Sequence, residues 1–82
     1  MEIVVYTQPA CPKCDQAKAW LTNAGHPFET VDITKSTEGL NYISSIGALT
    51  TPVVRFKDEE DDKAVFGFNI ADMADIIDEM EE

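Results

Sequence analysis

The chain has few of the residues from which a small protein builds staples or charged docking faces. Only two cysteines occur in 82 residues, Cys11 and Cys14. A bridge between them closes a very short loop and removes little entropy from the unfolded chain, so no disulfide framework stabilises the fold. Basic residues are scarce, six against sixteen acidic ones, for a net charge of −10. That excludes nucleic acid and anionic membrane surfaces as expected partners, since both are polyanions. The acidity serves solubility first, and steering towards a basic partner surface second. No stretch approaches the roughly 20 apolar residues of a membrane span. Residues 1–10 carry one short apolar run with no basic segment before it, so no secretory leader is expected and the protein is placed in the cytoplasm. In that compartment a close cysteine pair is more often catalytic or metal-binding than structural. At this length one domain over 1–82 with one core is expected, as a monomer.

What is present alternates between strand and helix patterns. Ile3-Val4-Val5-Tyr6 is a β-branched and aromatic run that reads as a buried strand. After the loop Thr7–Ala10, Pro12 suits the first turn of a helix, where a missing N–H costs nothing. Ala17, Trp20, Leu21 and Ala24 give that helix an apolar face, and Gly25 ends it. Phe28 to Ile33 reads as a second strand. Thr34 to Ser36 can cap a second helix, with Leu40, Ile43 and Ile46 as its stripe and Gly47 as its stop. The crossover makes the first two strands parallel. Past Pro52, Val53–Phe56 and Ala64–Phe68 flank the acidic turn Asp58–Asp62, which predicts an antiparallel hairpin with a solvated tip. Asn69 caps the last helix, Asp72 completes an approximate capping box, and Ile70, Met73, Ile76, Ile77 and Met80 form the buried stripe. The expected architecture is α/β in three layers, a mixed four-stranded sheet in the order β-α-β-α-β-β-α.

The chemistry lies in Cys11-Pro12-Lys13-Cys14. A CxxC at the start of a helix in a βαβ pattern is a redox signature. Unpaired N–H groups and the positive helix end favour a thiolate at Cys11, and Lys13 adds a positive charge nearby. Both are expected to lower its pKa below the value of about 8.5 of a free cysteine. Cys14 lies one turn further in, shielded and within reach of Cys11. The expected cycle is attack by Cys11 on a disulfide, then attack by Cys14 on Cys11 to release the reduced substrate. The competing reading is a metal site. A structural zinc takes four protein ligands, and only Cys11, Cys14 and His26 are at hand, so no metal is expected. His26, between Gly25 and Pro27, reads as a solvated loop residue, and Trp20 as core or a partial surface anchor.

The segment Tyr6-Thr7-Gln8-Pro9-Ala10-Cys11-Pro12-Lys13-Cys14 resembles the glutaredoxin active-site segment of the thioredoxin superfamily. Thr51-Pro52 resembles that family's cis-proline, and Gly67-Phe68 the signature after the last strand in NrdH-type redoxins. The resemblance implies a thioredoxin-like fold over the whole chain and a glutaredoxin-like dithiol electron carrier with no prosthetic cofactor. It implies that Thr51 pairs with substrate backbone and that Pro52, without N–H or charge, leaves room for the thiolate. On the residues alone, Pro52 is equally a legal strand start.

Two branches of the family differ in their reductant. The glutathione-dependent branch usually carries Lys where this chain has Gln8, an aromatic residue where it has Lys13, and Gly-Gly with acidic residues after the last strand. NrdH-type redoxins take electrons from thioredoxin reductase, pass them to ribonucleotide reductase, and usually read Trp-Ser-Gly-Phe-Arg-Pro at that point. Here the sequence is Val65-Phe66-Gly67-Phe68-Asn69-Ile70, which keeps Gly67-Phe68 and lacks the Trp, Arg and Pro. Gln8 offers no cation to a glutathione carboxylate, and Phe68 crowds the backbone approach a second glycine would permit. The NrdH-like assignment is preferred, with glutathione as the alternative reductant, which Asp72 could still grip by its amino group. Pro12 is the more glutaredoxin-like feature. Tyr6 and Phe68 are candidates for an apolar rim around the sulfurs, or equally for core. A non-catalytic binding module and a cluster-sharing iron–sulfur carrier are the remaining alternatives; the intact CxxC disfavours both.

Overall fold

The computed structural model describes residues 1–81. Its elements are β1 (Glu2–Thr7), α1 (Pro12–Asn23), β2 (Glu29–Asp32), α2 (Thr37–Ser45), β3 (Val53–Lys57), β4 (Asp62–Phe66) and α3 (Ile70–Met80). The strands form one sheet in the order β2-β1-β3-β4. β1 runs parallel to β2 and antiparallel to β3, and β4 runs antiparallel to β3. This is the mixed α/β sheet that the alternation of patterns implied.

The two central strands are apolar on both faces because both faces are covered. Ile3 and Val5 of β1, with Val54 and Phe56 of β3, meet Ala17 and Leu21 of α1 and Met73 and Ile77 of α3. On the other face Val4, Tyr6 and Val53 meet Ile43 of α2 and Ala48 beyond it. Each helix begins on a side-chain cap: Cys11 for α1, Ser36 for α2 and Asn69 for α3. The helices α1 and α2 end in matching double hydrogen bonds. His26 N–H donates to Leu21 and Gly25 N–H to Thr22, and Ala48 N–H donates to Ile43 and Gly47 N–H to Ser44. Gly25 and Gly47 supply the positive φ this ending requires.

Several expectations are corrected. The second strand is shorter than residues 28–33, although Phe28 and Ile33 still pack on the core from outside it. Asp62 belongs to β4 rather than to the hairpin tip, and Gly67 and Phe68 lie beyond that strand. Asp72 does not reach back to the backbone of Asn69. Its carboxylate accepts instead from the Asn69 side-chain amide at 3.1 Å, while its N–H donates to Asn69 Oδ1 at 3.1 Å. Ile70 is 46% exposed, so the stripe of α3 begins at Met73.

The stripe of α2 is rotated from its expected position. Leu40 is 45% exposed, and the inward face is Gly39, Tyr42, Ile43 and Ile46. Those positions follow an i, i+3, i+4, i+7 pattern, but its first member has no side chain to register as apolar. Gly39 is needed there for space: a Cβ at this position would lie 2.6 Å from Val31 Cγ1. Tyr42 turns inward because it finds specific partners. Its ring stacks on Tyr6 at 4.9 Å between centroids, and the Arg55 guanidinium sits 4.0 Å above it. Arg55 also donates to Asp62 through Nε at 2.9 Å and Nη2 at 2.6 Å, and to Tyr6 Oη at 3.3 Å. The hydrogen bond from Arg55 holds the Asp62 carboxyl below its ordinary range, and burial pushes the Tyr42 phenol up.

Gly39→Ala gains about 1 kcal/mol of helix propensity but overpacks a stiff β-branched neighbour at about 1–3 kcal/mol. The net expectation is a loss of about 1 kcal/mol in urea denaturation, and a gain would contradict the packing argument. The Arg55–Asp62 pair gives an acid-dependent contribution. Because the folded Asp62 carboxyl titrates below its unfolded value, its contribution is present above the ordinary carboxylate range and is lost as pH falls through the folded value. Asp62 is partly exposed, so screening limits the effect to about 1 kcal/mol or less. Stability curves of wild type and Asp62→Asn are expected to differ at neutral pH and to converge on acidification.

Candidate functional site

The site forms where three separate segments emerge at one end of the sheet. β1 ends at Thr7, and the chain turns through Gln8, Pro9 and Ala10 to Cys11. Ala10 takes a φ of 58°, a left-handed conformation that costs a non-glycine residue about 1–2 kcal/mol. The turn delivers Cys11 in extended conformation to the N-cap of α1, and Pro12 occupies the first helical turn. Because β3 runs antiparallel to β1, its start lies beside the end of β1, with Tyr6 opposite Val53. Thr51 and Pro52 precede that start and are joined by a cis peptide bond. β4 ends at the same place, with Phe66 opposite Val53. There the Gly67 N–H donates to the Pro52 carbonyl at 2.8 Å, and Gly67 takes the φ of 79° that turns the chain towards α3.

The two sulfurs are bonded to each other in this structure. Their surroundings differ sharply. Cys14 is wholly buried on the inward face of α1, with Ala17 and Leu21, whereas Cys11 is half-exposed between the exposed Pro12 and Ala10. Cys11 Sγ accepts the Cys14 backbone N–H at 3.2 Å, taking the place of a capping oxygen. It also accepts the Thr51 hydroxyl at 3.6 Å, across 40 residues of sequence. A nucleophile arriving from solvent therefore meets Cys11, and Cys14 can be reached only through it. Lys13 is exposed and, among the described residues, joins no ion pair, so its charge is free to act at the helix start. Asp15 in the same turn is paired with Lys18 at 3.3 Å.

Cys11, Cys14, Thr51, Pro52 and Gly67 thus meet as one cluster. Phe68 is half-buried against the core beneath α1 and α3. Tyr6 is not part of a rim around the sulfurs: it is 5% exposed and stacked against Tyr42 on the α2 side. The cleft that Tyr6 lines, about 140 Å³ with Val31, Ser36, Tyr42 and Arg55, includes neither sulfur. Trp20 packs against the core, and His26 lies 3.7 Å from Glu81. Among the described residues no group of three or more His, Cys, Asp or Glu side chains is placed to hold a metal ion. Sequence reasoning gave Thr51 a backbone role and overlooked its hydroxyl. The signal available was a hydroxyl-bearing residue directly before Pro52.

Residues 3–60 match the family model described as Glutaredoxin. The gene 56 protein of Mycobacterium phage L5 is 32% identical over 77 residues, covering 93% of this chain and 72% of that protein. The thioredoxin-like protein BC3987 superposes with a TM-score of 0.77 at 30% identity, over 92% of this chain and 99% of that one. NrdH-redoxin from Escherichia coli superposes with a TM-score of 0.78 at 26% identity, over 94% and 95% of the two chains. The fold is thioredoxin-like.

The unequal burial of the two sulfurs has a direct chemical readout. In the reduced, folded protein a thiol-alkylating reagent is expected to modify Cys11 first, and Cys14 only after denaturation, as read by peptide mass spectrometry. Equal labelling of both thiols in the native state would contradict the burial of Cys14.

Proposed function

This chain belongs to the glutaredoxin family of thiol–disulfide oxidoreductases, and on that premise we propose that Cys11 is its attacking sulfur and Cys14 its resolving one. The carrying observation is the asymmetry of the pair: a half-exposed Cys11 at a helix N-cap and a wholly buried Cys14 one turn behind it. The aligned N–H groups of the first turn favour negative charge at Cys11 once the bridge is reduced. The Cys11 thiolate attacks one sulfur of a substrate disulfide. That S–S bond breaks, the other substrate sulfur leaves as a thiolate, and a mixed disulfide forms. Cys14 then gives up its proton and attacks Cys11 Sγ. The mixed disulfide breaks, the substrate departs with both sulfurs reduced, and the protein is left with the Cys11–Cys14 bridge. Two electrons have passed to the substrate, and a reductase must return two.

We assign protein disulfides as the substrate class. Among the described residues neither the N–H nor the C=O of Thr51 has a backbone partner, and Thr51 stands beside Cys11. An extended substrate segment can pair with it as an added strand while presenting its own cysteine to Cys11. Pro52, buried and without N–H or charge, leaves space for the approaching sulfur.

The reductant we propose is thioredoxin reductase, and the acceptor a ribonucleotide reductase. Supporting this are the Gly67-Phe68 pair, the absence of a cation at Gln8, and similarity to NrdH-redoxin, described as a glutaredoxin-like protein with a thioredoxin-like activity profile. The net charge of −10 further opposes binding of anionic glutathione, within the limits of screening.

The test is NADPH consumption with a disulfide substrate in two coupled assays, one with thioredoxin reductase and one with glutathione and glutathione reductase. Turnover with thioredoxin reductase alone is expected. Turnover with glutathione alone would reverse the choice of reductant.

A further inference from the structure

Two donors converge on Cys11 Sγ, and they differ in origin. One is the backbone N–H of Cys14 at 3.2 Å, which any residue at that helix position would supply. The other is the side-chain hydroxyl of Thr51 at 3.6 Å, which only a serine or threonine supplies there. The hydroxyl is held in place from the C-terminal side. Pro52 beside it is buried, and the Pro52 carbonyl is fixed by the Gly67 N–H at 2.8 Å. Val53 next along is locked between β1 and β4. The Thr51 side chain is therefore presented to Cys11 from a position two residues before a central strand, with its C-terminal neighbours fixed.

A disulfide sulfur is a weak acceptor and gains little from this contact. A thiolate carries a full charge, and hydrogen bonds to charged groups are among the stronger ones in proteins. We propose that the Thr51 hydroxyl is a second thiolate-stabilising donor for Cys11, acting mainly in the reduced protein and in the steps where Cys11 gains or loses negative charge. The proposal deepens the reading of Cys11 as the attacking sulfur and rests on it.

Two consequences have definite signs. Stabilising the Cys11 thiolate raises its population at a given pH. It also favours the reduced protein over the bridged one, which makes the pair more oxidising. When the protein is re-reduced, an incoming reductase thiolate bonds to Cys11 and the Cys11–Cys14 bond breaks, leaving Cys14 as a thiol. The second reductase thiol then displaces Cys11, which departs as a thiolate, and the reductase is left with the disulfide. The hydroxyl stabilises that departing charge. It gives less help to attack on substrate, because a more stable thiolate is intrinsically a poorer nucleophile.

The decisive comparison is Thr51→Val, which keeps shape and removes the hydroxyl, against Thr51→Ser, which keeps the hydroxyl and removes the methyl. Thr51→Ala is a second hydroxyl-free variant should valine not be accommodated. Two properties are read on each folded, reduced protein: the pH profile of Cys11 alkylation, and the position of redox equilibrium against glutathione. Loss of the hydroxyl is expected to weaken Cys11 ionisation about tenfold, with serine close to wild type. The redox equilibrium is expected to move about tenfold towards the bridged form, or about 30 mV more reducing, at a pH where Cys11 is ionised. A valine profile equal to wild type, or a serine variant shifted as far as valine, overturns the proposal and leaves the roles of the two cysteines standing. First alkylation at Cys14 in the wild-type protein overturns both.

Discussion

The antiparallel pairing of β1 with β3 is the constraint from which the site is built. Both strands are buried on both faces, so their register cannot slip by one residue without driving apolar side chains into the wrong layer. The pairing of Tyr6 with Val53 sets the end of one strand beside the start of the other. The turn to Cys11 leaves from the first, and Thr51-Pro52 leads into the second. Residues 40 positions apart therefore meet without any long ordered loop. β4 adds its own end to the same place, and the Gly67–Pro52 hydrogen bond ties it there.

On that frame the helix α1 creates the difference between two chemically identical side chains. Cys11 caps the helix and faces outward, while Cys14 lies one turn inside and faces the core. Burial protects the second thiol from solvent and from other oxidants. The cap position gives the first a set of aligned donors. An unfavourable left-handed Ala10 lies directly before it, so local backbone strain is concentrated at the residue that delivers the chain to Cys11. The two faces of the sheet divide the work. The α1 helix carries the buried sulfur on its inward face, and the α2 side is locked by Tyr6, Tyr42, Arg55 and Asp62.

Much of this arrangement was legible in the sequence, because strong local signals agreed with one another. The CxxC, the proline behind its first cysteine and the glycine at the end of the helix all specified α1. The acidic turn between two apolar runs specified the hairpin. The misplaced apolar faces have one physical origin: hydropathy weighs side chains one at a time. Gly39 occupies an inward position because it has no side chain, so the apolar pattern passes through Leu40 instead. Tyr42 and Tyr6 turn inward for each other and for Arg55, partners that only the tertiary fold supplies. Ile70 is apolar but sits in the first turn of α3 beside its cap, where the core does not cover it. The contact of the Thr51 hydroxyl with Cys11 is of the same kind, invisible until the two strands are paired.

The division of labour between the two sulfurs is tested most directly by trapping. Reduced Cys14→Ser protein, mixed with a disulfide substrate, is expected to accumulate a one-to-one mixed disulfide that mass spectrometry locates at Cys11. Cys11→Ser protein is expected to form none. A stable adduct through Cys14 in the Cys11→Ser protein, at a comparable rate, would contradict the account.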